Sequence, residues 1–261
     1  MKILFVGDVV GKPGRRALAA LLPRLIDRHA IDYTIVNVEN SAGGSGVTFK
    51  VLAELDELPI DCFTSGNHIW DKKEVFDLLA REPRLLRPHN YPAANPGSGL
   101  YVGETPAGIR VATINLQGRI FMEPLDSPFV AADALLAGLP PEVKVIFVDF
   151  HAETTSEKTA LGFYLDGRVS AVVGTHTHVP TADERVLPQG TAYLTDAGMT
   201  GPYESVIGVR HDRVLARFLT QVPHPFEPAK NDVRLAGAVI DVDESTGRAR
   251  GIERLLVPWE G

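Results

Sequence analysis

The amino-acid sequence predicts an α/β fold with a mixed, parallel-rich sheet, and three features predict it. Short apolar runs alternate with helix-like stretches through the first two-thirds of the chain. Hairpin-like strand pairs follow. Several apolar runs also end in polar residues, as strands do when they open onto the crevice of an α/β sheet. At 261 residues the chain fits one large domain spanning 1–261, long enough to bury a core without covalent staples.

The elements can be read in order. Ile3–Val6 is a strand, and Pro13–Arg28 a helix with Leu18, Leu21, Leu22, Leu25 and Ile26 at helical spacing and Pro13 in its first turn. Tyr33–Val38 is a second strand; the loop Ser41–Val47 leads to a short helix at Thr48–Leu58. Ile60–Ser65 reads as a strand and Lys72–Arg81 as a helix. Pro, Asn and Gly make Tyr91–Gly99 a loop. Leu100–Glu104 and Ile109–Asn115 form a hairpin, Phe129–Leu139 a helix, and Val143–Phe150 a strand. The apolar stretch Leu116–Val130 reads as core by default, or else as an interface between copies. Lys158–Leu165 reads as helical and Val169–Gly174 as extended. The last third looks antiparallel, with strands at Thr191–Thr195, Leu235–Asp241 and Gly251–Val257.

Composition narrows the function. Against 33 acidic residues stand 26 Lys and Arg, a formal charge of −7, the wrong sign for gripping long nucleic acid. Small ligands are favoured. The opening apolar run of four residues is too short for a secretory core, and no run approaches a membrane span, so a cytoplasmic protein is expected. Cys62 is the only cysteine and reads as a buried strand residue, which excludes an intrachain disulfide.

Five apolar runs end in metal-competent side chains. The first delivers Asp8, the second Glu39 and Asn40, the third Asn67 and His68, the fourth His151, and the fifth His176 and His178. One such ending is as readily a turn or a helix cap; five at one rim of a sheet point to a shared site. Gly43, Gly44 and Gly46 could bring backbone amides close to phosphate or simply form a flexible loop. Lys12, Arg15 and Arg16 could face substrate but read better as solvated helix residues, and His29, His211 and His224 read as surface residues.

In order, Gly7-Asp8, Gly66-Asn67-His68, His151 and Gly174-Thr175-His176-Thr177-His178 resemble the blocks of the calcineurin-like metallophosphoesterase superfamily. The opening GDVVGKPGR, the run NVENSAGG at 37–44 and GNHIWD at 66–71 resemble its bacterial YmdB-like branch, and the resemblance spans essentially the whole chain. Val10 stands where the superfamily has a histidine, and Glu39 takes the place of the usual bridging aspartate; both departures fit that branch. The resemblance implies a four-layer α/β sandwich with mixed central sheets and helices on the outer faces. It also implies activity on cyclic nucleotides such as 2′,3′-cAMP, and a homo-oligomer.

Two cations about 3.5–4 Å apart need an anion between them, and Glu39 can give one oxygen to each. The expected first ion takes Asp8, Glu39, Asn40 and His178; the second takes Glu39, Asn67, His151 and His176. Imidazole, carboxylate and amide ligands without thiolate suit two divalent or mixed-valence ions of iron, manganese or zinc better than calcium. Two such divalent ions, two carboxylates and a bridging hydroxide leave about +1, suited to a singly charged phosphodiester. The expected chemistry is in-line attack of that hydroxide, with His68 protonating the departing alkoxide and Asp71 either orienting His68 or capping a helix. Rival readings are a phosphomonoesterase, including a protein phosphatase, and a regulatory metal-containing binding protein.

Overall fold

Alternation along each strand sorts side chains between two faces, and this sorting builds the layers. The computed structural model describes residues 1–223 and 225–261, so His224 lies outside the described residues. In chain order the first elements are β1 (Lys2–Val6), α1 (Gly11–His29), β2 (Tyr33–Asn37), α2 (Phe49–Asp56), β3 (Cys62–Thr64) and α3 (Val75–Arg81). A single 3₁₀ turn, Asn67–Asp71, lies between β3 and α3. Next come β4 (Leu100–Glu104), β5 (Arg110–Gln117), α4 (Pro128–Gly138), β6 (Val145–His151), α5 (Thr155–Tyr164) and β7 (Ala171–Thr175). The rest comprises β8 (Arg185–Val186), β9 (Ala192–Leu194), β10 (Gly201–Pro202), α6 (His211–Thr220), β11 (Val233–Val242) and β12 (Ala249–Pro258).

Two mixed sheets result. One runs β10-β11-β1-β2-β3, with β12 on β11; the other runs β4-β5-β6-β7-β9-β8. β1, β2 and β3 are parallel neighbours, as are β5, β6, β7 and β9. Leu4, Val6 and Val36 face α1, α2 and α3, while Ile3, Phe5, Tyr33 and Ile35 turn to the opposite sheet. There they meet Val145, Phe147, Ala171 and Val173, with the Phe5 and Phe147 rings 4.9 Å apart. Ile146, Val148 and Val172 face α4 and α5. The order is therefore helices, sheet, sheet, helices, the four-layer sandwich that the resemblance implied.

Local chemistry sets the element ends. Thr48 caps α2 by accepting from the Val51 amide at 3.3 Å, and Thr154 caps α5 through the Glu157 amide at 3.4 Å. Some expectations need correcting. The third strand is shorter than Ile60–Ser65, because the chain leaves the sheet into the 3₁₀ turn that holds Asn67 and His68. The strand expected at Thr191–Thr195 is not part of an antiparallel block: β9 is parallel to β7 and antiparallel only to β8. α6 has no counterpart among the elements expected from sequence, and its only buried residue is Val214. Leu116 lies in the core near the end of β5, whereas Ile120 and Phe121 are exposed on the following loop. Among the described residues, no helix is long and apolar enough to cross a membrane.

Candidate metal centre

The layer between the sheets turns from apolar to polar at the C-terminal ends of the parallel strands. Asn37 at the end of β2 donates to Asp149 of β6 at 3.0 Å, and Asn115 of β5 exchanges hydrogen bonds with the Ser65 backbone at 2.9 Å. Both links cross between sheets. Beyond them the predicted residues collect, from β1, β2 and β3 on one side and β6 and β7 on the other. Gly66 makes this approach possible, since a Cβ there would run into the His151 ring.

His151 is the focus, fully buried. Its Nε2 lies 3.2 Å from Glu39 Oε1, 3.1 Å from Asn67 Oδ1 and 3.0 Å from His176 Nδ1. Contacts on the far side of each ring define which nitrogen is free. Thr175 Oγ1 gives its proton to Asp149 Oδ1 at 2.7 Å, so it must accept from His151 Nδ1 at 2.9 Å. His176 Nε2 stands 3.1 Å from Glu153 Oε2, a carboxylate that draws the ring proton there and leaves Nδ1 as the inward lone pair. Two imidazole lone pairs, a carboxylate and an amide oxygen thus converge with no hydrogen of their own to share. That donor set fits a cation. The ligating atoms of Glu39, His151 and His176 all lie within 4.8 Å of one another.

The other expected set is looser. His178 Nδ1 donates to the Ile207 carbonyl at 2.8 Å, which turns Nε2 toward the Asn40 amide at 3.0 Å. The same Asn40 nitrogen lies 3.2 Å from Glu39 Oε1, so Glu39 touches both sets. The tight group does not extend to Asp8 and His178. Asp8 Oδ2 accepts from the His176 amide at 3.0 Å, but Asp8 Oδ1 and Asn40 Oδ1 are buried without a hydrogen-bond partner among the described residues. Orphaned buried oxygens are costly, and a cation would satisfy both.

Titration follows the same charges. Burial pushes the Asp8 carboxyl up, with His178 and His151 pulling against it. Burial also works upward on Glu39, but His151, His68 and His176 outweigh it and hold that carboxyl at about 2. Burial disfavours the His151 cation, yet Glu39, Asp8 and Asp149 raise it to about 9. Burial and His151 together drive His176 down to about 3.

His68 sits beside the centre, 42% exposed, with Nδ1 2.8 Å from Asp71 Oδ2 and its amide donating to Glu39 Oε2 at 3.1 Å. Asp71 therefore orients His68. His176 and His178 have φ of 100° and 65°, a left-handed conformation costing a side-chain-bearing residue about 1–3 kcal/mol. The neighbouring bonds enforce it. Asp8 holds the His176 amide, and Asp196 Oδ2 accepts from the Thr177 amide and hydroxyl at 3.3 and 2.8 Å. Behind Asp196, Lys158 Nζ closes a buried pair at 2.6 Å.

Sequence reasoning missed Asn37, Asp149, Glu153, Lys158, Thr175 and Asp196. A signal existed for Asp149, which lies two residues before His151 on the same face of β6, and for Asn37, which ends β2 two residues before Glu39. Nothing local marks Lys158 or Asp196.

Comparison with known proteins agrees over nearly the full length. A family model described as YmdB-like protein matches residues 4–255. The chain is 51% identical over 258 residues to a 2′,3′-cyclic-nucleotide 2′-phosphodiesterase of Bacillus subtilis (strain 168), covering 98% of this chain and 97% of that protein. Among solved structures, a hypothetical protein from Thermus thermophilus matches with a TM-score of 0.93 and 45% identity, covering 99% of each chain. A structure titled as a novel phosphatase from Mycoplasma pneumoniae matches with a TM-score of 0.93 and 35% identity, over 99% of this chain and 93% of that one. With these matches and this donor set, the chain belongs to the YmdB-like family of the metallophosphoesterase superfamily.

Proposed function

We propose that this protein is a binuclear metal-dependent phosphodiesterase that hydrolyses cyclic nucleotides, 2′,3′-cAMP first among them. The carrying observation is the convergence on His151 Nε2 of Glu39, Asn67 and His176, with His68 alongside. The name of the Bacillus relative supports the same substrate class.

Asn67, His151 and His176 would hold one ion, Asp8, Asn40 and His178 the other, and Glu39 both. Iron or manganese suits these ligands best, and zinc is compatible. When bound, such ions polarise the phosphoryl group and lower the pKa of water to about 7. The chain supplies the rest. Asp149, through Thr175, and Glu153 keep His151 and His176 in the tautomers that present a lone pair inward. Asp71 accepts from Nδ1–H of His68, leaving Nε2 to protonate the departing ribose oxygen. The His68 amide on Glu39 ties the acid to the centre.

Protein loaded with manganese or iron should hydrolyse 2′,3′-cyclic nucleotides and bis-p-nitrophenyl phosphate. His68→Ala should lose about 10²–10⁴-fold in turnover while elemental analysis shows the metal retained. Inertness of the loaded protein toward both substrates would refute the activity; an unchanged rate in the variant would remove His68 as the acid. The Mycoplasma structure described as a phosphatase makes p-nitrophenyl phosphate the necessary comparison, and faster monoester than diester turnover would favour a phosphomonoesterase.

A further inference from the structure

The chain carries a net −7, yet one part of its surface is cationic. A cavity of about 520 Å³ is lined by Lys12, Arg15, Lys50 and Lys72, with Glu54 as its one acid. Arg15 already pairs with Glu54 at 3.1 Å and donates to the Ser41 carbonyl. Lys12, Lys50 and Lys72 enter no ion pair among the described residues. A second cavity, about 290 Å³, shares Lys12 and adds Arg16, Lys230 and the indole of Trp259. The Arg16 guanidinium lies 5.9 Å from that ring's centre.

Both cavities are linked to the centre by short stretches of chain, and the Gly11 amide, next to Lys12, donates to the Asn40 carbonyl at 2.9 Å. Lys72 follows Asp71, the partner of His68, and Ala42 and Gly43 in the first cavity's wall come two and three residues after Asn40. Pro228, two residues before Lys230, lies against both Gly11 and Gly44, so the second cavity's rim is folded onto the same loop.

We propose that these two cavities form a track for phosphates on the 5′ side of the reacting nucleotide, so that the protein takes short single strands ending in a 2′,3′-cyclic phosphate. This rests on the phosphodiesterase reading of the centre. If His68 protonates the ribose oxygen, the ribose stands on the His68 side, and the chain continuing from its 5′ carbon meets Lys72 first. Unpaired ammonium groups match one negative charge per nucleotide, and exposed Arg16, backed by half-buried Trp259, offers a flat guanidinium plane for a base. The acidic remainder of the surface disfavours long polyanions, so the track suits strands of a few nucleotides.

The test compares 2′,3′-cAMP with a trinucleotide ending in a 2′,3′-cyclic phosphate, using wild type and the Lys12→Gln/Lys50→Gln/Lys72→Gln variant across a salt series. KM for the trinucleotide should be lower by about tenfold, and its affinity should fall with salt at a log–log slope of roughly −1.4 for two engaged phosphates. The variant should lose both effects while its turnover of 2′,3′-cAMP is unchanged. Equal KM values in wild type, or a length preference that survives in the variant, would overturn the track. Fluorescence anisotropy of a 5′-labelled trinucleotide ending in a 3′-phosphate reads the track without catalysis. Lysine-dependent binding by protein that hydrolyses neither substrate would uphold the track and remove the phosphodiesterase reading; absent or lysine-independent binding would sink the track whatever the turnover.

Discussion

Asp149 touches no candidate ligand directly, yet two of them depend on it. One oxygen accepts from Thr175, which in turn accepts from His151; the other accepts from Asn37, whose Oδ1 receives the Glu39 amide at 3.2 Å. Burial raises its carboxyl to about 7, with the nearby Thr64 hydroxyl, His151 and the Thr175 bond pulling against it. Partners of this kind fix ring orientation and typically contribute about 10–100-fold to metal affinity. Asp149→Asn, with the same shape but a weaker acceptor, should lose that much affinity in a calorimetric titration with Mn²⁺. Thr175→Val should do likewise and Thr175→Ser should not. Wild-type affinity in both Asp149→Asn and Thr175→Val would discount the relay.

Strand ends made the site legible at the level of elements, because a strand can only present a residue at its rim if the chain leaves the sheet there. Asp8, Glu39, Asn67, His151 and His176 all follow that rule. α6 was opaque because its apolar side chains meet little: Leu215, Phe218 and Leu219 are 51%, 70% and 83% exposed. Short β9 depends on Asp183, which accepts from Thr181 Oγ1 and from the amide and hydroxyl of Thr195. Burial opposes the charged form, but these bonds hold the carboxyl below its ordinary value. A depressed folded value means the stabilisation is present above the unfolded carboxylate pKa and is lost as pH falls through the folded one. Asp183→Asn should therefore lower Tm at neutral pH by about 2–4 °C, for a loss of about 1 kcal/mol. The difference from wild type should shrink in acid; a gap that widens there would contradict the assignment.

Across the whole molecule, the centre adds to the apolar contacts and the Asn37–Asp149 and Asn115–Ser65 links in joining the two sheets. Removing cations should leave the orphaned oxygens of Asp8 and Asn40 and the crowded lone pairs around His151 uncompensated. An ion that binds only the folded chain, at about a hundred times its Kd, contributes about 2.7 kcal/mol. For a chain of this size that corresponds to about 5–10 °C in Tm. EDTA dialysis should lower Tm by that amount and manganese should restore it. A Tm indifferent to both would count against the ions as part of the fold.

The sequence alone determined the α/β class, most elements, and which side chains are candidates for the chemistry, because periodicity and strand termination are local properties of the chain. It placed the donors at strand ends but not on two sheets, since nothing local says that β1–β3 and β6–β7 lie face to face. Only the tertiary structure decided that Glu39 reaches both ligand sets, that Asn37 and Asp149 bridge the layers, and that Lys158 stands behind the His176–His178 turn. Those relations join residues from tens to more than a hundred positions apart, and packing between layers is what brings them within hydrogen-bond reach.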